Sequence, residues 1–403
     1  MSSRWLVVAA LFGALVGFGF AAASTYDFAA HLDRQVHNLH CSFIPGLSAS
    51  SAASAQGCQV TLMSPYSSIF RTSLWGGVPV SLPAMSMFAA IAGLTAVMLL
   101  LRAEREQAAA FALLLLGIVP VVASLFMGSI AAFKLHAACK QCIGIYLSST
   151  LIGVCAVLAY RARSRMRVAG DPDAVTTRFG RAWLLSLPLT ALLVLVPMTG
   201  YVLAMPQYQK FANGCGSLPA PEDRHSVMVH LKAGAPNARS AIEIFDPLCP
   251  ACKAFEDRLK AAGLDKQLQR DLLLFPLDHS CNWMIDNSLH PGACAVSAAV
   301  LCAGDRAKEL VDWAFAEQEK LHAAGAKDPA APGKLVAERF PEVKTCMESP
   351  TTKARLAQSL RWAVRNQVPV LTPQFYVDGK RLCDEDTDLG LEYTLTRMLK
   401  GGT

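Results

Sequence analysis

Five long apolar runs organise the first half of the chain, approximately Trp5 to Ala23, Val78 to Leu101, Ala108 to Phe133, Cys139 to Tyr160 and Ala182 to Ala204. A helix needs roughly 20 apolar residues to cross a bilayer, so each run predicts a membrane span. Pro83, Pro120, Pro188 and Pro197 fall inside these runs, where neighbouring helices can re-satisfy the freed backbone groups. From about Pro206 onward the pattern changes to soluble sequence rich in Lys, Asp and Glu. The predicted division is a membrane domain over 1–205 and a soluble domain over 206–403.

Composition agrees with that division. Hydrophobic residues make up 53% of the 403 and charged residues only 17%, and the charge deficit sits in the first half. The loops "LRAERE" and "RARSRMRVAG…TTRFGR" carry the arginines, so the positive-inside rule makes both cytoplasmic. The N-terminus is then cytoplasmic, while the loop from Ser24 to Gly77 and everything after the fifth span lie outside. The net charge of +6 is a topology signal and not a nucleic-acid footprint. The first run, with Arg4 before it and "AAAS" after it, also has features of a cleavable signal peptide. About 19 apolar residues is long for a signal sequence, which favours a retained helix.

The chain has 13 cysteines. Cys155 lies mid-span and reads as a small buried hydrophobe. On this topology the other twelve all lie outside the cytoplasm, where disulfides persist. Two CxxC pairs stand apart, Cys139/Cys142 and Cys249/Cys252, because so short a loop staples little and a helix start makes its thiols reactive. Cys281 and Cys294 are spaced for a local staple. The pairing of Cys215, Cys302, Cys346 and Cys383 does not follow from spacing.

"SAIEIFDPLCPACKAFEDRLKAAG" predicts a strand, a tight turn and an amphipathic helix that begins at Cys249. Free N–H groups and the helix dipole there stabilise a thiolate. Zinc, the competing reading of a CxxC, would need a second ligand pair in this domain, and the sequence offers none, so no metal is expected. "VPVLTPQFYVDGKRL" predicts a strand, a DG turn and a second strand. His279 and His290 flank the loop that holds Cys281, and read as ordinary surface or core histidines. Together "GAPNARSAIEIFDPLCPAC" and "TPQFYVDG" resemble a DsbA-like member of the thioredoxin superfamily. That resemblance implies a cis-proline at Pro373 beside the active disulfide, and a helical insertion over about 290–366.

In the membrane half, Cys41 and Cys58 precede the second span, and Cys139 and Cys142 head the fourth span at the same face. Phe28, Leu32, Val36 and Leu39 fall on one helical face, which suits a helix lying in the interface. "PGLSASSAASAQG", between Cys41 and Cys58, is small and polar, the composition of a flexible linker. Lys134, His136 and Lys140 are placed to stabilise thiolates or to anchor at lipid headgroups. "MSPYSS…GGVPVS" after Cys58, followed by "CKQCIGIY", resembles the vitamin K epoxide reductase family in its bacterial form fused to a thioredoxin-like domain. The resemblance implies a loop pair Cys41/Cys58, a membrane pair Cys139/Cys142 beside a quinone (ubiquinone or menaquinone), and Ser64 and Tyr146 near the quinone head group. The Cys41–Cys58 spacing is longer than usual for that family.

The expected fold is therefore multi-domain: a transmembrane all-α four-helix bundle with a fifth linking span, then an α/β thioredoxin-like domain with a helical insertion. The expected activity is quinone-coupled disulfide formation in exported proteins. Electrons would pass from Cys249/Cys252 to Cys41/Cys58, to Cys139/Cys142 and to quinone. The expected place is a bacterial inner membrane with the C-terminal domain periplasmic, and the partners are lipid and exported reduced proteins. Two alternatives use the same residues: reduction of a quinone epoxide, and soft-metal handling through the CxxC pairs. Electron flow in the reverse direction, making the soluble domain a reductase or isomerase, is set by relative potentials that the sequence does not reveal.

Overall fold

The computed structural model describes residues 3–31, 61, 64–135, 139–168, 179–205, 214–231, 237–387 and 389–401. Cys41, Cys58 and the segment between them, like Leu32, Val36, Leu39 and His136, lie outside the described residues. The chain divides into two compact units, Met1–Pro206 and Gln207–Thr403.

The first unit holds five helices long and apolar enough to cross a membrane, which makes the chain a multi-pass membrane protein. They are α1 (Ser3–His31), α2 (Ser81–Leu100), α3 (Gln107–Ile130), α4 (Lys140–Val168) and α5 (Ser186–Ala204). A π-helical turn, Ala131–Leu135, prolongs α3, and a 3₁₀ turn, Gly180–Leu185, introduces α5. The first four helices share a core of Val7, Ala14 and Ala21 from α1, Phe88 and Ile91 from α2, Leu113 and Leu116 from α3, and Ile152 and Ala156 from α4. Lipid gives apolar side chains no reason to leave it, so association depends on close packing at small residues. Gly17 of α1 shows how close: a Cβ there would lie 2.6 Å from the Phe88 ring. The fifth span is peripheral, with only 6% of its apolar window buried. Its Tyr201 hydroxyl reaches the Gly77 carbonyl at 3.5 Å.

Three span boundaries differ from the sequence reading. The first helix does not stop at Ala23 but runs on to His31, with Phe28 fully buried. Phe28 therefore belongs to the first span, and no separate interfacial helix begins there. Thr25 fixes this extension by donating to Ser81 Oγ at 2.9 Å. The second helix starts at Ser81, because Gly76 and Gly77 turn the chain at positive φ and Val78–Pro79 (β2) pairs antiparallel with Ser68–Ile69 (β1). The fourth continues past Tyr160 to Val168 as an arginine-rich extension.

The second unit is built on a five-stranded sheet ordered β3-β5-β4-β6-β7. The strands are β3 (Val229–His230), β4 (Arg239–Phe245), β5 (Leu268–Leu274), β6 (Gln374–Val377) and β7 (Lys380–Arg381). β4 and β5 are parallel, joined by the crossover helix α6 (Pro250–Ala261), and β6 lies antiparallel to β4. This is the thioredoxin-like core that the sequence predicts. Asp378 and Gly379 turn β6 into β7 with φ of 48° and 76°, the paired positive values a type I′ hairpin requires. Between β5 and β6 the insertion holds α7 (Ala293–Cys302), α8 (Ala307–Ala316), α9 (Gln318–Gly325), α10 (Ala331–Arg339), a single helical turn at Lys344–Met347, and α11 (Pro350–Arg365). The last helix, α12 (Leu391–Leu399), closes the core beneath Phe255 and Phe375.

Three disulfides tie this unit: Cys215–Cys383, Cys281–Cys294 and Cys302–Cys346. The first ties the start of the unit to its end. Residues from Gly214 onward are part of the folded unit, because Cys215 N donates to Arg381 O at 2.8 Å and Ser217 bridges to Lys380. A disulfide that closes a loop of 168 residues restrains the unfolded chain strongly, and loss of such a native tie costs roughly 2–5 kcal/mol. A fragment covering 207–403 is expected to fold alone, and its Cys215→Ser/Cys383→Ser variant to lose stability of that order in urea melts. Coincident melts would show that the tie contributes nothing.

Candidate functional site

In the soluble unit the end of β4 runs through Asp246, Pro247 and Leu248 into Cys249, the N-cap of α6. Pro250 follows at the first helical position, where its missing N–H costs nothing. The Cys249 carbonyl accepts the first helical bond from Lys253 N at 3.2 Å. Cys252 sits in the same turn, fully buried. Both are free thiols. The Thr372–Pro373 peptide is cis, and the Thr372 carbonyl lies 3.6 Å from Cys249 Sγ.

The two thiols are electrostatically unlike. The hydrogen bond that Cys252 donates lowers the Cys249 pKa to about 6, against the opposing effect of burial and with help from Thr372. Burial, together with that same hydrogen bond, holds Cys252 well above the ordinary thiol range. Cys249 is thus the thiol suited to act as nucleophile and leaving group, and Cys252 the one held protonated.

Asp246, with no exposed surface, anchors the loop that delivers Cys249. It accepts Leu248 N at 2.7 Å through one oxygen, and Leu277 N and His290 Nδ1, each at 2.7 Å, through the other. His290 meets the His322 ring edge-on at 5.3 Å, and His322 Nε2 donates to the Leu248 carbonyl at 2.5 Å. Burial works to lower the His290 pKa, but the hydrogen bond and charge of Asp246, with the charge of Cys249, outweigh it and raise it. The sequence placed His290 among ordinary surface or core histidines. It lies beside the CxxC loop, and a separation of 44 residues from Asp246 left no local pattern to reveal this.

Beneath the same elements lies a buried charge cluster. Arg270 of β5 binds Glu243 of β4 and, at 2.6 Å, Glu256 of α6. Burial pushes the Glu243 carboxyl up despite Arg270, while Arg270 and Lys260 together overcome burial and hold Glu256 low. Removing the arginine would leave two buried carboxylates facing each other, a costly arrangement.

In the membrane unit Cys139 caps α4 in the same manner. Its carbonyl accepts Ile143 N at 3.0 Å, and its sulfur accepts Cys142 N–H at 3.3 Å. Cys139 is buried and Cys142 half-buried, in the first turn of an apolar helix. Between them Gln141, itself buried, donates to the buried Asp27 of α1 at 2.8 Å. Tyr146 follows one turn after Cys142, its ring in contact range of Gly128 on α3. Ser64 is buried, but its hydroxyl donates to Thr61 O at 2.8 Å, and Arg71 binds its carbonyl. That hydroxyl therefore serves its own turn. Lys134 donates to the Tyr66 hydroxyl at 3.3 Å, and so tethers the end of α3 to the segment around Ser64. Among the described residues no three His, Cys, Asp or Glu side chains converge as a metal site.

Residues 8–157 match the family described as Vitamin K epoxide reductase family. No curated protein matches the chain. Among solved structures it is similar to a thioredoxin-like oxidoreductase from Silicibacter pomeroyi DSS-3. That match has 18% identity and a TM-score of 0.28, covering 44% of this chain and 94% of the other.

In the reduced full-length protein, alkylation of Cys249 by iodoacetamide is expected to be half-maximal near pH 6, with Cys252 unmodified across the same range. Peptide mass spectrometry after timed quenching reads both. Equal labelling of the two thiols, or a midpoint in the ordinary thiol range, would refute the assignment of Cys249 as the nucleophile.

Proposed function

We propose that this chain, whose residues 8–157 match the Vitamin K epoxide reductase family and whose second unit is thioredoxin-like, is a thiol oxidoreductase that couples disulfide formation in exported proteins to quinone reduction. A client thiolate attacks the Cys249–Cys252 disulfide at Cys249, which leaves Cys252 as a thiolate that takes up a proton. The client's second thiolate then attacks its own mixed-disulfide sulfur and releases Cys249. The client gains one disulfide, and Cys249 and Cys252 become a dithiol. Two electrons and two protons move on by the same exchange to Cys41/Cys58 and then to Cys139/Cys142.

The carrying observation is Cys142, half-buried in the first turn of an apolar span, with Tyr146 on the next turn of the same helix. A dithiol placed there is reached from within lipid, where an apolar quinone partitions. The apolar surroundings and the Tyr146 hydroxyl suit such a molecule, which when bound supplies a two-electron, two-proton acceptor. Ser64, whose hydroxyl is engaged within its turn, would act by holding the adjoining loop. The arginine-rich loops support an orientation with the soluble unit on the outer side, and the resemblance to the bacterial fusion form suggests a bacterial cytoplasmic membrane.

Detergent-solubilised protein supplied with a reduced dithiol protein is expected to reduce added quinone, and Cys142→Ser to lower the rate by at least about a thousandfold, the loss typical of removing a catalytic nucleophile. Cys249/Cys252 should still equilibrate with Cys41/Cys58 in that variant. Quinone turnover at the wild-type rate would remove the membrane pair from the mechanism. In Cys252→Ala, an intramolecular Cys249–Cys41 bond is expected to accumulate, because Cys58, the nearer of the two to the second span, would serve the membrane pair. A Cys249–Cys58 peptide in the unreduced digest would reverse the loop assignment, and a Cys249–Cys139 peptide would end the relay.

A further inference from the structure

Asp246 creates a difficulty for the chemistry of its own loop. Its carboxylate holds Leu248 N and Leu277 N, and so fixes the approach to Cys249, yet its negative charge lies three residues from a sulfur that must also carry one. A like charge at that range disfavours the thiolate, and the charge of Asp246 does act against ionisation of Cys249. His290 stands on the far side of the same carboxylate, its Nδ1 2.7 Å from Oδ2, with only 12% of its side chain exposed.

We propose that His290 is a positioning residue for thiol exchange at Cys249: its imidazolium cancels the charge of Asp246, so that the loop keeps a carboxylate anchor without losing the thiolate. The inference rests on the thiol oxidoreductase reading and adds a residue outside both CxxC motifs. The placement is built from three directions. The His290 backbone is pinned by its N–H to the Leu277 carbonyl at 3.0 Å. Asp278 binds Gly292 N at 2.9 Å, and the Cys281–Cys294 disulfide closes the loop that carries the histidine. His322 of α9 supports the ring edge-on while donating to Leu248, the residue before Cys249. The charged and titratable groups facing the imidazole are Asp246 and Cys249 from the CxxC loop, Asp278 from the loop after β5, and His322 from α9. Three of these favour a cation at His290, consistent with its raised pKa.

A neutral residue at position 290 leaves Asp246 uncompensated, the Cys249 thiolate becomes harder to form, and the pH midpoint of its alkylation rises. Removing both charges should bring the midpoint back down. The experiment measures iodoacetamide alkylation of Cys249 against pH in the full-length protein, read by mass spectrometry of the Cys249 peptide, with no quinone present. We expect His290→Gln to raise the midpoint by on the order of one pH unit. His290→Lys, which keeps the positive charge, should stay near wild type, and Asp246→Asn/His290→Gln should return to wild type or below. Intact Cys281–Cys294 and Cys302–Cys346 peptides in the same digests report a folded unit. Should the single histidine variant fail that control, Asp246→Asn alone decides, with a lowered midpoint expected. An unchanged midpoint in His290→Gln, a double variant as high as the single one, or a raised midpoint in Asp246→Asn overturns the proposal. Because the readout is independent of quinone, its failure leaves the electron acceptor an open and separate question.

Discussion

Both ends of this chain depend on one interaction, between the first sulfur of a CxxC and the unpaired amides that open a helix. Cys249 caps α6 and Cys139 caps α4, each giving its carbonyl to the first helical hydrogen bond. Each leaves its sulfur beside the positive end of a helix dipole, with the partner cysteine three residues on, within the same turn. That geometry favours a thiolate on the outer sulfur and leaves the inner one deeper in the helix. The surroundings then separate the two sites. At Cys249 a polar network of Asp246, His290 and Thr372 completes the electrostatics. Beside Cys139 and Cys142 the polar contact is Gln141 donating to Asp27, at the start of an apolar span. The same motif therefore sits in two different surroundings, a polar network in the soluble unit and the start of an apolar span in the other.

Much of this was legible because its signals are local. The span lengths, the strand-turn-helix around Cys249 and the hairpin at Asp378–Gly379 each sit within one stretch of sequence that states its own period or turn. What escaped the sequence is non-local. Cys215 and Cys383 are 168 residues apart, and nothing in either neighbourhood names the other. Arg270 finds Glu243 only because β4 and β5 run parallel in register, with Ala241 opposite Arg270. Phe28 reads as the start of a surface helix, but α1 runs on through it and it is fully buried. His290 is the sharpest case, since a lone histidine in a loop has no pattern, and its role exists only where that loop folds back on Asp246.

The membrane unit limits how the buried dithiol can be used. Helix α4, which carries it, is held on two sides at small residues. A Cβ at Gly144, two residues beyond Cys142, would lie 2.5 Å from the Phe20 ring of α1, and one at Gly153 would lie 2.5 Å from Val121 of α3. Gly13 and Gly117 press on Leu151, Ile152 and Ala156 from the same two neighbours. Polar contacts add register to this packing: Asp27 with Gln141, Ser124 with Ser149, and Gln107 with Ser164. Such hydrogen bonds average well under 1 kcal/mol in membranes, but several along one helix oppose both sliding and rotation. Cys139 and Cys142 are accordingly fixed in depth and direction by contacts along almost the whole of α4. A thiol carried on so constrained a helix does not travel to its partners. Whatever exchanges with these thiols must come to them, because packing and hydrogen bonds along α4 hold them in place.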